Sequence, residues 1–190
     1  MIATESRTLT LDEFLALPEQ DADGKHFELD EGELVTLSPA EATHARRVTV
    51  ISAYLYHLLD KTVFKVLTGE AGILMALDPK PIVRGIDIAV LLRADTPEQG
   101  MLRKAPLVAI EVISPSNDPT DLERKRRQYQ NFGVKEVWFA YETATTKTLQ
   151  VYRQSSSMET FSQIYEVPGP RNVFESEALG ISIDLAVLFE

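Results

Sequence analysis

LVAIEVISPS, residues 107–116, reads as a strand running into a turn, and its single charged residue governs how the surroundings must be built. Six of its first seven residues are apolar, and the exception is Glu111. A short apolar run of this kind suits a strand covered on both faces, as in an α/β sheet with helices above and below. A buried carboxylate without a partner costs several kcal/mol, roughly the whole stability of a domain. The partner for Glu111 therefore has to come from elsewhere in the chain.

Both flanks supply one. Upstream, GIDIAVLL (residues 85–92) alternates so that Ile86, Ile88, Val90 and Leu92 share one face, and Asp87 shares the other with Ala89 and Leu91. Two neighbouring core strands thus each hold one acid. Downstream, Asp118 reads as an N-cap, Pro119 as the first helical residue and Gly133 as the stop of a helix. Leu122, Tyr129 and Phe132 mark its inward stripe. Lys125 falls on that stripe, whereas Arg124 and Arg127 fall on its flank.

Each residue also has an ordinary reading. Lys125 could snorkel to solvent or pair with Asp121 one turn away, and Glu111 or Asp87 could be structural salt-bridge partners. The combination is what points to chemistry. Two carboxylates from adjacent strands suit a hard divalent ion such as Mg2+, and a nearby ammonium can orient or deprotonate a water or offset phosphate charge. That is equipment for phosphodiester hydrolysis.

The remaining chain reads as one α/β domain spanning residues 1–190, without repeat or linker. A short capped helix is expected around Asp12–Leu17, then a hairpin in FELDEGELVTLSP about Glu31–Gly32. Ser38-Pro39-Ala40-Glu41 fits a capping box opening a helix to about Asp60, with stripe Val48, Ile51, Leu55 and Leu58/Leu59. His44 lies on that stripe. VFKVLTGEAGILMAL predicts two strands and IVRGIDIAVLL another, while EVWFAYE and KTLQVYRQ predict a second hairpin. A polar tail follows, with one short strand and a helical turn at DLAVLFE.

Composition bounds the setting. The chain has 190 residues, no cysteine and no long apolar run of membrane-spanning length, and its start, MIATESRTLTLDEF, is unlike a secretory signal. These features favour the cytosol. Net charge is −10, but it is uneven: residues 1–45 carry −9, residues 136–190 carry −5, and residues 46–135 carry +4. The segment holding Glu111 is mildly basic, so a polyanion remains an admissible ligand.

Gly85-Ile86-Asp87, Ile110-Glu111-Val112-Ile113-Ser114-Pro115-Ser116, Asp121, Lys125, Tyr129 and Gly133-Val134-Lys135-Glu136-Val137-Trp138 together resemble the Uma-two family of putative restriction endonucleases. That family lies within the PD-(D/E)XK nuclease superfamily. Phe27-Glu28-Leu29-Asp30-Glu31-Gly32-Glu33-Leu34, Ser38-Pro39 and His44 resemble its opening pattern, so the likeness covers about residues 10–155. It implies a restriction-endonuclease-like mixed central sheet flanked by helices, with the site at one sheet edge. It further implies Asp87 and Glu111 as metal-binding acids, the Val112 carbonyl as a further ligand, and Mg2+ as cofactor with Mn2+ as a substitute. The superfamily's Lys two residues after the acid is Ile113 here, so Lys125 would supply the ammonium; Ile86 stands where Pro is usual. Glu28 would be an extra acid near the metal. His44 would touch the metal-bound water or a phosphate, or else be a hydrogen-bonded structural residue.

The expected function is a Mg2+-dependent DNA endonuclease using a metal-activated water. Cutting both strands most simply needs two sites, which suggests a homodimer. The alternative is an inactive nuclease-like fold kept as a DNA-binding or protein-interaction module, favoured by the charge of −10 and by Ile113. A sugar hydrolase using Asp87 and Glu111 as acid and base is less favoured, because one Trp gives little for a sugar cleft.

Overall fold

The computed structural model describes residues 8–115, 117–143, 145–154, 160–169 and 172–190. Ser116 of the quoted motif and the first seven residues lie outside the described residues.

The molecule is a mixed α/β sheet with helices on both faces. In chain order it runs α1 (Leu11–Leu15), β1 (His26–Asp30), β2 (Glu33–Leu37), α2 (Ala42–Leu58), β3 (Phe64–Ala76), β4 (Ile82–Leu92), β5 (Val108–Ile113) and α3 (Pro119–Phe132). Then come β6 (Glu136–Glu142), β7 (Lys147–Gln154), β8 (Thr160–Val167), β9 (Val173–Ser176), β10 (Ile181–Asp184) and α4 (Leu185–Leu188). The large sheet has the order β2-β1-β4-β5-β6-β7-β8, with β3 also on β4; β9 and β10 form a separate hairpin. β5 and β6 pair in parallel, the other strand pairs among the described residues are antiparallel, and α3 makes the crossover between β5 and β6.

Each face of the sheet has its own core. Ile51 and Leu55 of α2 pack with Ile88, Val90, Ile110 and Trp138, and the β9–β10–α4 segment adds Phe174, Ile183 and Leu188. On the opposite face Tyr129 of α3 packs with Ala89, Ala109, Ile113 and Phe139. The strands β4 and β5 are therefore covered on both sides, which is why both read as nearly continuous apolar runs.

Several expectations change in detail. The stretch VFKVLTGEAGILMAL holds one long strand, Phe64–Ala76, instead of two: Gly69 (φ 82°) and Glu70 (φ 58°) make a bulge, visible as a register shift between Thr68 and Ala71, and not a reversing turn. Opposite that bulge the alternation of β4 slips, so Ile86 packs with Ala89 and Leu91 and not with Ile88. The Ser38 capping box does not form; α2 starts at Ala42 with Glu41 as a cap that makes no side-chain hydrogen bond. The reciprocal box occurs instead at Thr10 and Glu13 of α1. Finally, the described residues of the polar tail hold three strands and not one. β8 lies at the outer end of the sheet with most of its residues exposed, so its sequence shows no clear alternation.

Candidate active site

The sheet forks at β4. β3 follows one edge of β4 along its length, so β1 and β5 must share the other. β1 reaches β4 only at Leu29 opposite Val83, and β5 pairs only through Ile88–Ile110, Ala89–Ala109 and Val90–Val108. Continuing that register brings Asp87 opposite Glu111, at the point where the ladder ends. The candidate acids thus stand at an inner fork and not at an outer edge of the sheet.

Neighbouring groups orient both carboxylates. Asp87 Oδ2 accepts the Val112 backbone N–H at 2.8 Å, and Oδ1 lies 3.1 Å from His44 Nε2. Glu111 Oε1 accepts the Tyr129 hydroxyl at 2.5 Å. A carboxylate has about four acceptor positions, so these contacts fix each group while leaving acceptor capacity. Burial pushes the Glu111 pKa up to about 8; the Asp87 and Glu28 charges act in the same direction, against Lys125 and Tyr129. The hydrogen bond to Asp87 raises the pKa of His44, against the effect of its burial.

Lys125 reaches inward from α3, with Nζ 3.5 Å from Glu28 Oε1. Burial disfavours its ammonium, but the charges of Glu111 and Glu28 outweigh that and hold its pKa above the ordinary value. Glu28 has both oxygens engaged. Oε1 accepts the Gly85 N–H at 2.9 Å, and Oε2 accepts Arg84 Nη1 at 2.8 Å. Behind them Arg84, 1% exposed, also bonds Gln128 Oε1 at 3.0 Å. Its Nη2 lies 2.9 Å from Asp30 Oδ2 yet finds no aligned hydrogen-bond acceptor among the described residues, so that contact is ionic in character. Arg124 and Arg127 stay outside, half or more exposed and paired with Asp30, Asp121 and Glu123.

Asp87, Glu111, Lys125, His44 and Val112 all line one open cleft of about 400 Å3. Glu28 sits just behind it, bordering a second cavity that Asp87, Glu111 and Lys125 also line. Three participants were missed from sequence. Arg84 breaks the apolar pattern of IVRGIDIAVLL as plainly as Asp87 does, and the same rule would have found it. Tyr129 was read as core because a phenol's apolar ring hides its hydroxyl. Glu70 lines the cleft only because of the β3 bulge.

A family model described as Uma2, putative restriction endonuclease, matches residues 11–187. The chain belongs to the Uma2 family. Among solved structures this Uma2 chain is similar to a crystal structure described as a putative nuclease belonging to DUF820 from Anabaena variabilis ATCC 29413. The two share 20% identity with a TM-score of 0.70, over 95% of this chain and 97% of that one. At that identity the likeness establishes the fold. No curated protein matches the chain. No helix among the described residues is long and apolar enough to cross a membrane.

Glu111 carries an expected result of its own. With chelator present, Glu111→Gln should melt above the parent, because the amide keeps an acceptor for Tyr129 and removes a buried charge. The folded-state pKa lies above the ordinary 4.5, so between about 4.5 and 8 the unfolded chain gives up a proton that the folded chain retains. Parent stability therefore falls through that window as pH rises, and the gap to Glu111→Gln widens. Thermal melts at intervals across this range in EDTA check it; a lower melting temperature for the variant at pH 8 would mark Glu111 as a structural salt-bridge residue.

Proposed function

We propose that this Uma2 chain is a Mg2+-dependent DNA endonuclease that hydrolyses phosphodiester bonds, with Mn2+ as a substitute ion. The observation that carries the reading is the meeting of Asp87, Glu111 and Lys125, from β4, β5 and α3, at the fork of the sheet. Glu28, Asp87 and Glu111 are all buried there, faced by Lys125 and backed by Arg84. The excess of negative charge and the hard oxygen donors fit a divalent cation.

Asp87 and Glu111 would hold the ion, with the Val112 carbonyl as a further ligand. Among the described residues no three His, Asp or Glu side chains form a metal-holding group by themselves. Water would fill the remaining positions, as Mg2+ readily accepts. When bound, the ion would acidify a water and offset phosphate charge. The protein's own groups do the rest. Tyr129 and the Val112 N–H keep the two carboxylates aimed. Lys125, held protonated, serves as a fixed positive charge for the phosphoryl oxygens and not as a base. His44 steadies Asp87 from α2, and Glu28 anchors Lys125 to β1.

Calorimetric titration with Mn2+ should show binding that Asp87→Ala and Glu111→Ala each abolish. Incubation with linear, supercoiled and single-stranded DNA in millimolar Mg2+ should show cleavage that Glu111→Ala lacks. Binding unchanged in both variants would remove the metal site, and intact DNA in every form would remove the nuclease. The acids Glu41, Asp121 and Glu142 on the cleft walls, which oppose a polyanion, favour a second reading as a non-cleaving interaction module.

A further inference from the structure

A second cavity, of about 200 Å3, lies against the same carboxylates. It shares Glu70, Asp87, Glu111 and Lys125 with the cleft, but Phe14, Phe27 and Met101 line it as well. These apolar side chains belong to the small core under α1, where Phe27 and Met101 are only partly buried.

We propose that this cavity receives one unpaired nucleobase of the DNA strand, and that Glu70 reads the base's exocyclic amino group. The inference rests on the nuclease reading above. The cavity is below the roughly 300 Å3 at which pockets for drug-sized ligands begin, so its size suits one base better than a base pair. Aromatic and apolar walls beside a reactive centre are what an extruded or single-stranded base needs in place of its lost stacking.

The backbone gives independent support. Glu70 is a non-glycine residue at φ 58°, held there by the bulge in β3. Gly85 lies across from it, and a Cβ on Gly85 would come 3.2 Å from the Glu70 Cβ. A bulge re-aims a side chain, and backbone held in a sparsely populated region recurs at functional positions. Here it turns a carboxylate to the mouth of both cavities. Among the described residues its ion-pair partner is His26, with Nδ1 3.8 Å away. A carboxylate only accepts hydrogen bonds. Cytosine and adenine present amino donors that match it, whereas thymine presents a carbonyl at the corresponding place.

The test uses binding and turnover separately. Anisotropy titrations in Mg2+ with short oligo-dC, oligo-dA, oligo-dT and a matched duplex are run on full-length Glu111→Gln, which should not cleave. The dC and dA strands should bind about tenfold tighter than dT, and tighter than the duplex. Adding Glu70→Gln should level dC with dT. Adding Phe27→Leu, which keeps an apolar side chain but removes the ring, should weaken every single strand alike by several-fold. Equal binding of dC and dT, or a preference that survives Glu70→Gln, overturns the base pocket. If the parent chain still cleaves DNA in that case, the nuclease reading stands without it; no cleavage and no binding of any DNA removes both.

Discussion

Lys125→Ala is expected to cleave DNA on the order of a hundredfold more slowly than the parent in single-turnover measurements. The ammonium is fixed by Glu28, which is itself fixed by Arg84 and the Gly85 N–H, so it is preorganised beside Asp87 and Glu111. A charge held in place in advance is worth more than one that must be recruited and reoriented. Mn2+ affinity should change little, because the ammonium is no ligand. Lys125→Arg should also be slow, since a planar guanidinium does not fit the place of a point charge. Arg124→Ala and Arg127→Ala should leave the rate near that of the parent at saturating DNA, as both side chains lie outside the cleft. Parent-like cleavage by Lys125→Ala would take Lys125 out of the mechanism.

Arg84→Ala should produce the largest loss of stability. The guanidinium is 1% exposed and contacts Glu28, Asp30 and Gln128 together. Removing one partner of a buried ion pair costs about 3–5 kcal/mol, because the charge left behind stays out of water. For a chain of this size each kcal/mol moves the melting temperature by about 2–4 °C, so a drop on the order of 10 °C is expected. Arg84→Lys should recover only part of this, since a single nitrogen cannot span the separate places that Arg84 Nε, Nη1 and Nη2 occupy against Gln128, Glu28 and Asp30. Combining Arg84→Met with Glu28→Gln and Asp30→Asn should recover more, because the stranded charges go with the cation. A shift of only a degree or two for Arg84→Ala in scanning calorimetry would contradict the buried network.

The acids and the lysine of the site were legible because each interrupts an apolar pattern, and the cost of burying a charge turns such an interruption into a signal. Asp87, Glu111 and Lys125 were found that way. Arg84 carries the same signal but sits three residues before Asp87 in the same strand, where a lone cation reads equally well as a snorkelling side chain. The helix caps at Asp118 and Gly133 were equally legible, because local backbone chemistry suffices to define them. What stayed hidden depends on pairing between distant segments. Neither the sharing of one β4 edge by β1 and β5 nor the phase slip at Ile86 can be inferred from a strand alone. Glu70 followed suit: GEAG reads as a turn until a partner strand makes it a bulge.

The fork also sets when the site comes into being during synthesis. Glu111 and Tyr129 are 18 positions apart and lie in one strand–helix segment. His44 and Asp87 are 43 apart, and Glu28 and Lys125 are 97 apart. A chain still emerging from the ribosome has Glu28 and Arg84 long before α3 is available to close the constellation, and domains fold as units once their last contacting segments are free. The Asp87 end of β4 can be made and threaded into its hairpin with β3 while the acids are still apart. The constellation is thereby tied to the synthesis and docking of α3, so a chain that ends before α3 is expected to lack the site.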